Sequence, residues 1–173
     1  MSKKTLLDIS VEHKGWRRIP RLNARLEKAA QVTLAHLPAT KRISCSVSLL
    51  LTGGAAVRQL NRDFRGIDKP TNVLSFPQFE GGKWPRKGKI QQLLPVGDIV
   101  MGYQYIVAES KRDHKMLINH ATHLLIHGLL HLFGYHHSSE SAATRMERLE
   151  TKIMKELGLP DPYAFPASAP GKK

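Results

Sequence analysis

The spacing of apolar residues along the chain changes repeatedly between the alternation typical of strands and the 3.6-residue period typical of helices. Short apolar runs predict four strands, over residues 6–11, 43–51, 71–76 and 98–101. Longer periodic segments predict five helices, over residues 19–37, 55–64, 103–112, 115–133 and 142–157. Strands and helices in this order predict an α+β fold, in which a small mixed β-sheet is packed by helices.

A single domain accounts for these elements. The 173 residues suffice to bury a core without disulfide bonds, and we assign the domain to residues 1–160. Residues 78–93 carry four Lys or Arg and three Gly without periodicity, which predicts a mobile basic loop or a loose hairpin. Residues 161–173 are predicted to be a disordered tail.

Cysteine content and hydropathy indicate a cytoplasmic protein. Cys45 is the only cysteine, so no disulfide can form within the chain, and a reducing compartment fits best. The apolar run near the N-terminus is too short and interrupted for a signal peptide. No apolar run approaches the roughly 20 residues that span a bilayer, and we expect no membrane association.

The charge balance favours a polyanionic partner. Lys and Arg number 27 against 14 Asp and Glu, which gives a formal net charge of +13. The cations are spread along the chain rather than gathered in one tail. A field of this sign attracts nucleic acid first and anionic membrane surfaces second, although a basic composition alone can also reflect the average of a lineage.

Three histidines near residue 130 have the spacing of a catalytic metal site. His127 and His131 lie four residues apart, on one face of a predicted helix. Gly134 can end that helix with a positive φ, and the turn then returns His136 or His137 toward the first two rings. Three imidazoles without an obvious fourth protein ligand are typical of catalytic zinc, although other transition metals also bind imidazole. The metzincin spacing favours His137 as the third ligand.

Two further histidines strengthen the metal interpretation. His120 and His123 fall on the same helical stripe as His127 and His131. Four imidazoles on one stripe of a core helix would each need a partner or would lose solvation, and a metal ion relieves this for two of them. His120 and His123 are then interpreted as groups that support the ligands or contact RNA.

Gly128 stands where a metzincin has its general-base Glu. A zinc peptidase needs that carboxylate, so peptide hydrolysis is disfavoured. RNA cleavage does not need a carboxylate that activates water, because the 2′-hydroxyl of RNA can itself attack the phosphate. A metal and a cation then stabilise the developing charge. The sequence leaves this route and attack by activated water equally open.

The segment 60–77 can supply the cation. It combines three cations with the amide and hydroxyl groups of Asn, Thr and Ser, and Arg is suited to bidentate binding of phosphate. The same composition also fits a solvated helix end followed by a turn into a strand.

Three segments carry motifs that are specific in combination. Residues 127–137 read HGLLHLFGYHH, residues 68–77 read DKPTNVLSFP and residues 97–100 read GDIV. Together they resemble the YbeY family of bacterial rRNA-processing endoribonucleases, whose corresponding motifs are H-G-x-L-H-L-x-G-Y-D-H, D-x-P-T-N-V-L-S-F-P and G-D-(I/L)-V. The similarity spans roughly residues 45 to 157, in the family's order.

The resemblance implies a single α+β domain with a zincin-like helix whose zinc ion is held by His127, His131 and His137. It implies a single-strand-specific endoribonuclease that matures the 3′ end of small-subunit rRNA and serves ribosome quality control. The implied partners are rRNA and the ribosome or its small subunit, and no DNA substrate is expected.

The resemblance also implies roles for residues outside the metal set. Arg65 matches the arginine thought to act with the metal, and is expected to contact the substrate phosphate or stabilise the transition state. His123 and Ser75 match family positions that face the cleft. His136 departs from the family, which has Asp there, and must orient the turn differently or compete for the metal.

Overall fold

The computed structural model describes residues 5–41, 43–79 and 93–164. Within these ranges the chain forms four strands and five α-helices, as the sequence pattern predicts. The strands are β1 (Thr5–Val11), β2 (Cys45–Thr52), β3 (Val73–Pro77) and β4 (Leu94–Gly102). The helices are α1 (Leu22–Ala35), α2 (Gly54–Arg65), α3 (Tyr103–Arg112), α4 (Leu117–Leu132) and α5 (Glu140–Glu156). The α+β prediction is confirmed.

The four strands form one mixed sheet in the order β1-β2-β4-β3. β1 and β4 each run parallel to β2, whereas β3 runs antiparallel to β4 and forms one edge. Parallel neighbouring strands must be joined by a crossover connection. The connection from β1 to β2 contains α1, and the connection from β2 to β4 contains α2 and β3. The predicted small mixed sheet is therefore confirmed.

Alternate strand residues point to two separate apolar layers, because successive side chains in a strand face opposite sides. The larger layer joins one face of β2 and β4 to α1, α4 and α5. The smaller layer lies on the other face, where α2 packs on β3 and β4. α4 is buried over nearly its whole surface and contacts α1, α3, α5, β3 and β4, so any group on α4 is held rigidly.

β4 begins at Leu94, four residues before the predicted start at Asp98. The early half contains Pro95 and Gly97, which usually argue against an inner strand. Pro95 is tolerated because the β2–β4 register shifts beside it, between Ser46 and Val47. Gly97 adopts φ 146° and pairs with Pro77 of β3.

α1 begins at Leu22 and ends at Ala35, inside the predicted range of 19–37. Arg21 has a left-handed backbone with φ 54°, which separates the helix from the preceding turn. After α1, Pro38–Lys41 forms a short 3₁₀ turn. Pro38 cannot continue the α-helical hydrogen bonding, which explains the change of helix type.

The predicted basic loop and tail are only partly described. Residues 80–92 of the loop and 165–173 of the tail lie outside the described residues. Residues 161–164 follow α5 and are described; Pro162 is buried there. None of the described helices combines the length and the apolar character that crossing a membrane requires.

Gly97→Ala tests how tightly the sheet meets α4. A Cβ atom on Gly97 would lie 2.3 Å from the Phe76 carbonyl oxygen and 2.8 Å from a methyl of Leu132. Together with the positive φ, this predicts a loss of about 2–4 kcal/mol in the free energy of unfolding, measured by urea denaturation. Gly66→Ala is the matched control, because Gly66 also has a positive φ but no atom within 4 Å of an added Cβ. An equal loss in both variants would contradict the clash.

Candidate metal centre

α4 carries four histidines along one stripe, as its sequence spacing predicts. Neighbouring ring centroids are 6.5 Å apart for His120 and His123, 6.4 Å for His123 and His127, and 4.5 Å for His127 and His131. His120 and His123 are buried, whereas His127 and His131 are only partly buried. The stripe therefore opens toward solvent at its C-terminal end.

His127, His131 and His137 meet at that open end. One ring nitrogen from each lies within 4.8 Å of the other two, and Nε2 of His127 is 3.0 Å from Nε2 of His131. α4 ends at Leu132, and Gly134 has φ 86°, the left-handed conformation predicted for the turn. This turn brings His137, which is exposed, back over the two helical imidazoles.

His136 points to a different partner. Its Nδ1 atom is 2.8 Å from the Ser138 hydroxyl, and the three-histidine cluster does not include it. Of the two candidate third ligands, the structure thus brings His137 to the cluster and leaves His136 exposed beside it. The His136–Ser138 hydrogen bond lies where the family signature has Asp.

A carboxylate on α5 binds the ring nitrogen of His127 that does not face His131. Glu150 is fully buried, and its Oε1 atom accepts a hydrogen bond of 2.7 Å from Nδ1 of His127. Oε2 accepts a second bond, of 2.9 Å, from Nε2 of His123. The Tyr163 hydroxyl also donates to Oε2. Three donors thus satisfy one carboxylate that burial would otherwise destabilise.

Glu150 remains ionised despite its burial. Burial alone would raise the pKa of its carboxyl, but the hydrogen bonds from His123 and His127 outweigh that effect and lower the pKa to about 2. Burial of the Tyr163 hydroxyl and its hydrogen bond to Glu150 raise the pKa of that hydroxyl well above its ordinary value. Tyr163 therefore stays protonated and donates, while Glu150 only accepts.

This arrangement fits a metal ion. Because an ionised carboxylate only accepts hydrogen bonds, Nδ1 of His127 carries a proton toward Glu150, and Nε2 is the nitrogen left facing His131. Burial, with the nearby His127 and His137 rings, lowers the pKa of the His131 imidazole to about 4, so His131 is neutral at pH 7. Three imidazoles with converging nitrogens match the ligand set of catalytic zinc.

Gly128 lets α4 lie directly against the sheet. A Cβ atom at this position would be 3.1 Å from Oγ of Ser75 and 3.2 Å from two side-chain carbons of Ile99. A side chain at residue 128 would therefore meet β3 and β4. This close packing places Ser75, which the sequence assigned to the cleft, beside the turn of α4 that carries His127.

Arg65 contacts β3, the strand of Ser75, through the strand's backbone. It is the last residue of α2, and its Nη2 atom donates a hydrogen bond of 3.4 Å to the Ser75 carbonyl oxygen. The side chain is exposed. Ser75 thus contacts Arg65 through its carbonyl and approaches Gly128 through its hydroxyl, which links the predicted cation to the metal-binding helix.

Three partners of the histidines were absent from the sequence prediction: Glu150, Glu109 and Tyr163. Glu150 had a detectable signal, because it lies on the apolar face of α5 between Met146 and Ile153, where a charge must find a buried partner. Glu109 accepts a hydrogen bond of 2.7 Å from Nε2 of His120, but the sequence of α3 contains no comparable signal. Tyr163 lies in the predicted tail, where no periodicity draws attention to it.

Comparisons with known proteins agree with the motif resemblance. A family model described as Endoribonuclease YbeY matches residues 10–158. The chain is similar to an Endoribonuclease YbeY of Allorhizobium ampelinum, with 40% identity over 166 residues that cover 94% of this chain and 96% of the relative. It is 38% identical to the Bartonella henselae protein of the same name, over 91% of this chain and 96% of the relative.

The fold is also similar to a solved structure. The solution structure of TM1509 from Thermotoga maritima superposes with a TM-score of 0.55 and covers 96% of this chain and 99% of its own. The two sequences are 22% identical. At this level the similarity supports the fold alone.

Glu150→Gln tests the support of His127. A neutral amide cannot accept from three donors as the carboxylate does, so zinc affinity should fall about 10- to 100-fold, measured by competition with a chromophoric chelator. Glu147→Gln on the exposed side of α5 should leave the affinity unchanged. Glu109→Gln removes a similar partner from His120, a histidine outside the cluster, and should lower thermal stability without changing zinc affinity. Equal zinc affinity in Glu150→Gln and the wild type would contradict the supporting role.

Proposed function

The chain belongs to the Endoribonuclease YbeY family, and we propose that it is a zinc-dependent, single-strand-specific endoribonuclease that matures the 3′ end of small-subunit rRNA. We assign its zinc site to His127, His131 and His137. The observation that carries the proposal is the meeting of these three imidazoles at the solvent-open end of α4, with His127 oriented by a buried carboxylate.

The chemistry at this site is that of a Lewis acid. When bound, zinc would polarise a phosphoryl oxygen and stabilise the negative charge that develops during cleavage. His127 and His131 would contribute from α4 and His137 from the turn after it. His137 is exposed to solvent, and we assign the fourth coordination position to this solvent side, where a catalytic centre takes water or substrate.

Arg65 is proposed to contact the substrate phosphate. Its guanidinium is exposed and is anchored to Ser75 on β3, the strand that packs against Gly128. A guanidinium can bind two phosphate oxygens at once. In this position it would hold the scissile phosphate and stabilise charge in the transition state.

The same geometry disfavours a peptidase. Gly128 provides no carboxylate, and the close approach of Ser75 and Ile99 leaves little room for one. Glu150 is fully buried and already accepts from His123, His127 and Tyr163, so it cannot take a proton from water at the open side. RNA cleavage does not need that base when the 2′-hydroxyl attacks.

The partners follow from charge and family. A net charge of +13 favours association with rRNA and with the ribosome or its small subunit. We place the activity in the cytoplasm, in rRNA processing and ribosome quality control. The second candidate is a ribosome-assembly factor in which zinc is structural, favoured by the same charge if Arg65 has no role in catalysis.

Two substitutions separate metal binding from catalysis on a single-stranded precursor fragment of small-subunit rRNA. His131→Ala should lose both zinc and cleavage. Arg65→Ala should keep zinc but lower kcat about 100-fold or more, because it removes a charge-stabilising group. Zinc content is measured by mass spectrometry and cleavage by gel electrophoresis, and Arg148→Ala serves as the exposed arginine control.

Cleavage by metal-free His131→Ala would contradict the proposed function. Normal rRNA binding and growth support from an Arg65→Ala variant that keeps its zinc but has lost cleavage would favour the assembly factor instead. Duplex RNA and DNA of the same sequence should resist cleavage. A 2′,3′-cyclic phosphate on the product would identify attack by the 2′-hydroxyl, whereas a free 3′-hydroxyl would identify attack by water.

A further inference from the structure

An aromatic side chain stands exposed beside the proposed phosphate-binding arginine. Phe64 is 69% exposed and Ile67 is 50% exposed, at the end of α2 and in the turn after it. Isolated exposed apolar residues are common on proteins. Here two occur within four residues, and Phe64 contacts the partly buried Phe76, so the exposed ring belongs to a small apolar surface rather than standing alone.

The Phe64 ring is held in place rather than free. It makes an edge-to-face contact with Phe76 of β3, with ring centroids 5.3 Å apart and an interplanar angle of 61°. α2 ends at Arg65, the residue after Phe64. Gly66 caps the helix with φ 69°, and its N–H donates a hydrogen bond to the Arg62 carbonyl oxygen. A ring that is already ordered loses little entropy when a ligand stacks on it.

The turn that follows is anchored as well. Asn61 is buried, and its side-chain amide donates to the Lys69 carbonyl oxygen at 2.8 Å. Arg58 binds both carboxylate oxygens of Asp68, at 2.8 and 2.9 Å. These bonds tie the middle of the connection between α2 and β3 back to α2 and give the exposed ring a fixed base.

The location of Phe64 relates it to the metal centre. Ser75 and Phe76 are successive residues of the edge strand β3, so their side chains face opposite sides of the sheet. Ser75 faces Gly128 of the metal-binding helix, and Phe76 faces Phe64. Arg65 bonds the Ser75 carbonyl, so the aromatic pair, Arg65 and Gly128 all meet at β3.

The surrounding charge identifies the partner. Within the described residues, Arg65 and Lys69 have no carboxylate within 4.0 Å. An exposed aromatic ring flanked by cations that no carboxylate neutralises is the arrangement that binds single-stranded nucleic acid, with bases on rings and phosphates on cations. An apolar protein partner would have no need of the two charges.

We propose that Phe64 is a stacking platform for an unpaired RNA base adjacent to the phosphate bound by Arg65. The inference rests on the endoribonuclease function proposed above and adds a base-binding position to it. It explains a preference for single strands in physical terms, since a base paired within a duplex cannot leave its stack to lie on the ring.

The test compares the affinity of zinc-loaded variants for a short fluorescein-labelled single-stranded RNA by anisotropy. Phe64→Ala should raise Kd about 5- to 100-fold, the range expected for loss of one stacked base. Phe64→Trp should retain or improve the affinity, and its fluorescence should be quenched by the RNA. Met116→Ala is the control, because Met116 is 67% exposed and lies on another surface, before α4.

An abasic oligonucleotide of the same length separates stacking from charge. It should bind wild type and Phe64→Ala equally, because it offers phosphates but no base. Unchanged RNA affinity in Phe64→Ala would overturn the proposal and leave the patch to a protein partner. An equal loss for RNA and the abasic strand would overturn it too.

If the wild type neither binds nor cleaves RNA, the proposed function itself fails; if the wild type cleaves and Phe64→Ala matches it, only the stacking fails.

Discussion

The buried carboxylate of Glu150 is the interaction on which the proposed metal centre depends. It lies where α5 packs on α4 and accepts hydrogen bonds from His123, His127 and Tyr163. A buried charge destabilises a fold unless its partners satisfy it fully. Here the carboxylate and its partners belong to three parts of the chain: Glu150 to α5, the two histidines to α4 and Tyr163 to the segment after α5. The carboxylate therefore joins the fold and the site in one network.

That network determines what the cluster can do. Holding the proton of His127 on Nδ1 directs the other lone pair toward His131 and His137, so the site is organised before any metal binds. Gly128 then brings the sheet edge against the same helix and removes the position of a peptidase base. Together these features favour an oxyanion substrate over a peptide carbonyl, and Arg65 is the cation that we propose for contact with phosphate.

Much of this could be predicted from local sequence. The positions of His127 and His131 follow from helical periodicity alone, and Gly134 was predicted to have the positive φ that it adopts. The metzincin spacing favoured His137 over His136, but the direction in which each side chain of the turn points is set only in three dimensions. The geometry brings His137 to the cluster and turns His136 to Ser138.

The features that could not be predicted are those made by distant segments. Glu150 meets His123 across 27 positions, and no local pattern specifies that pairing. Pro95 and Gly97 masked the first half of β4, since the register shift that accommodates Pro95 arises only when β2 lies alongside. In both cases a rule for isolated segments was overruled by tertiary packing, at places where the chain builds or borders its site.

We propose that three imidazoles, His137 among them, bind one zinc ion and leave one coordination position open. X-ray absorption at the zinc edge of the stoichiometrically loaded protein measures this ligand set. We expect three imidazole nitrogens at about 2.0–2.1 Å and one oxygen ligand, with an unchanged spectrum in His136→Ala. A shell of four imidazoles, or the loss of one nitrogen in His136→Ala, would contradict it.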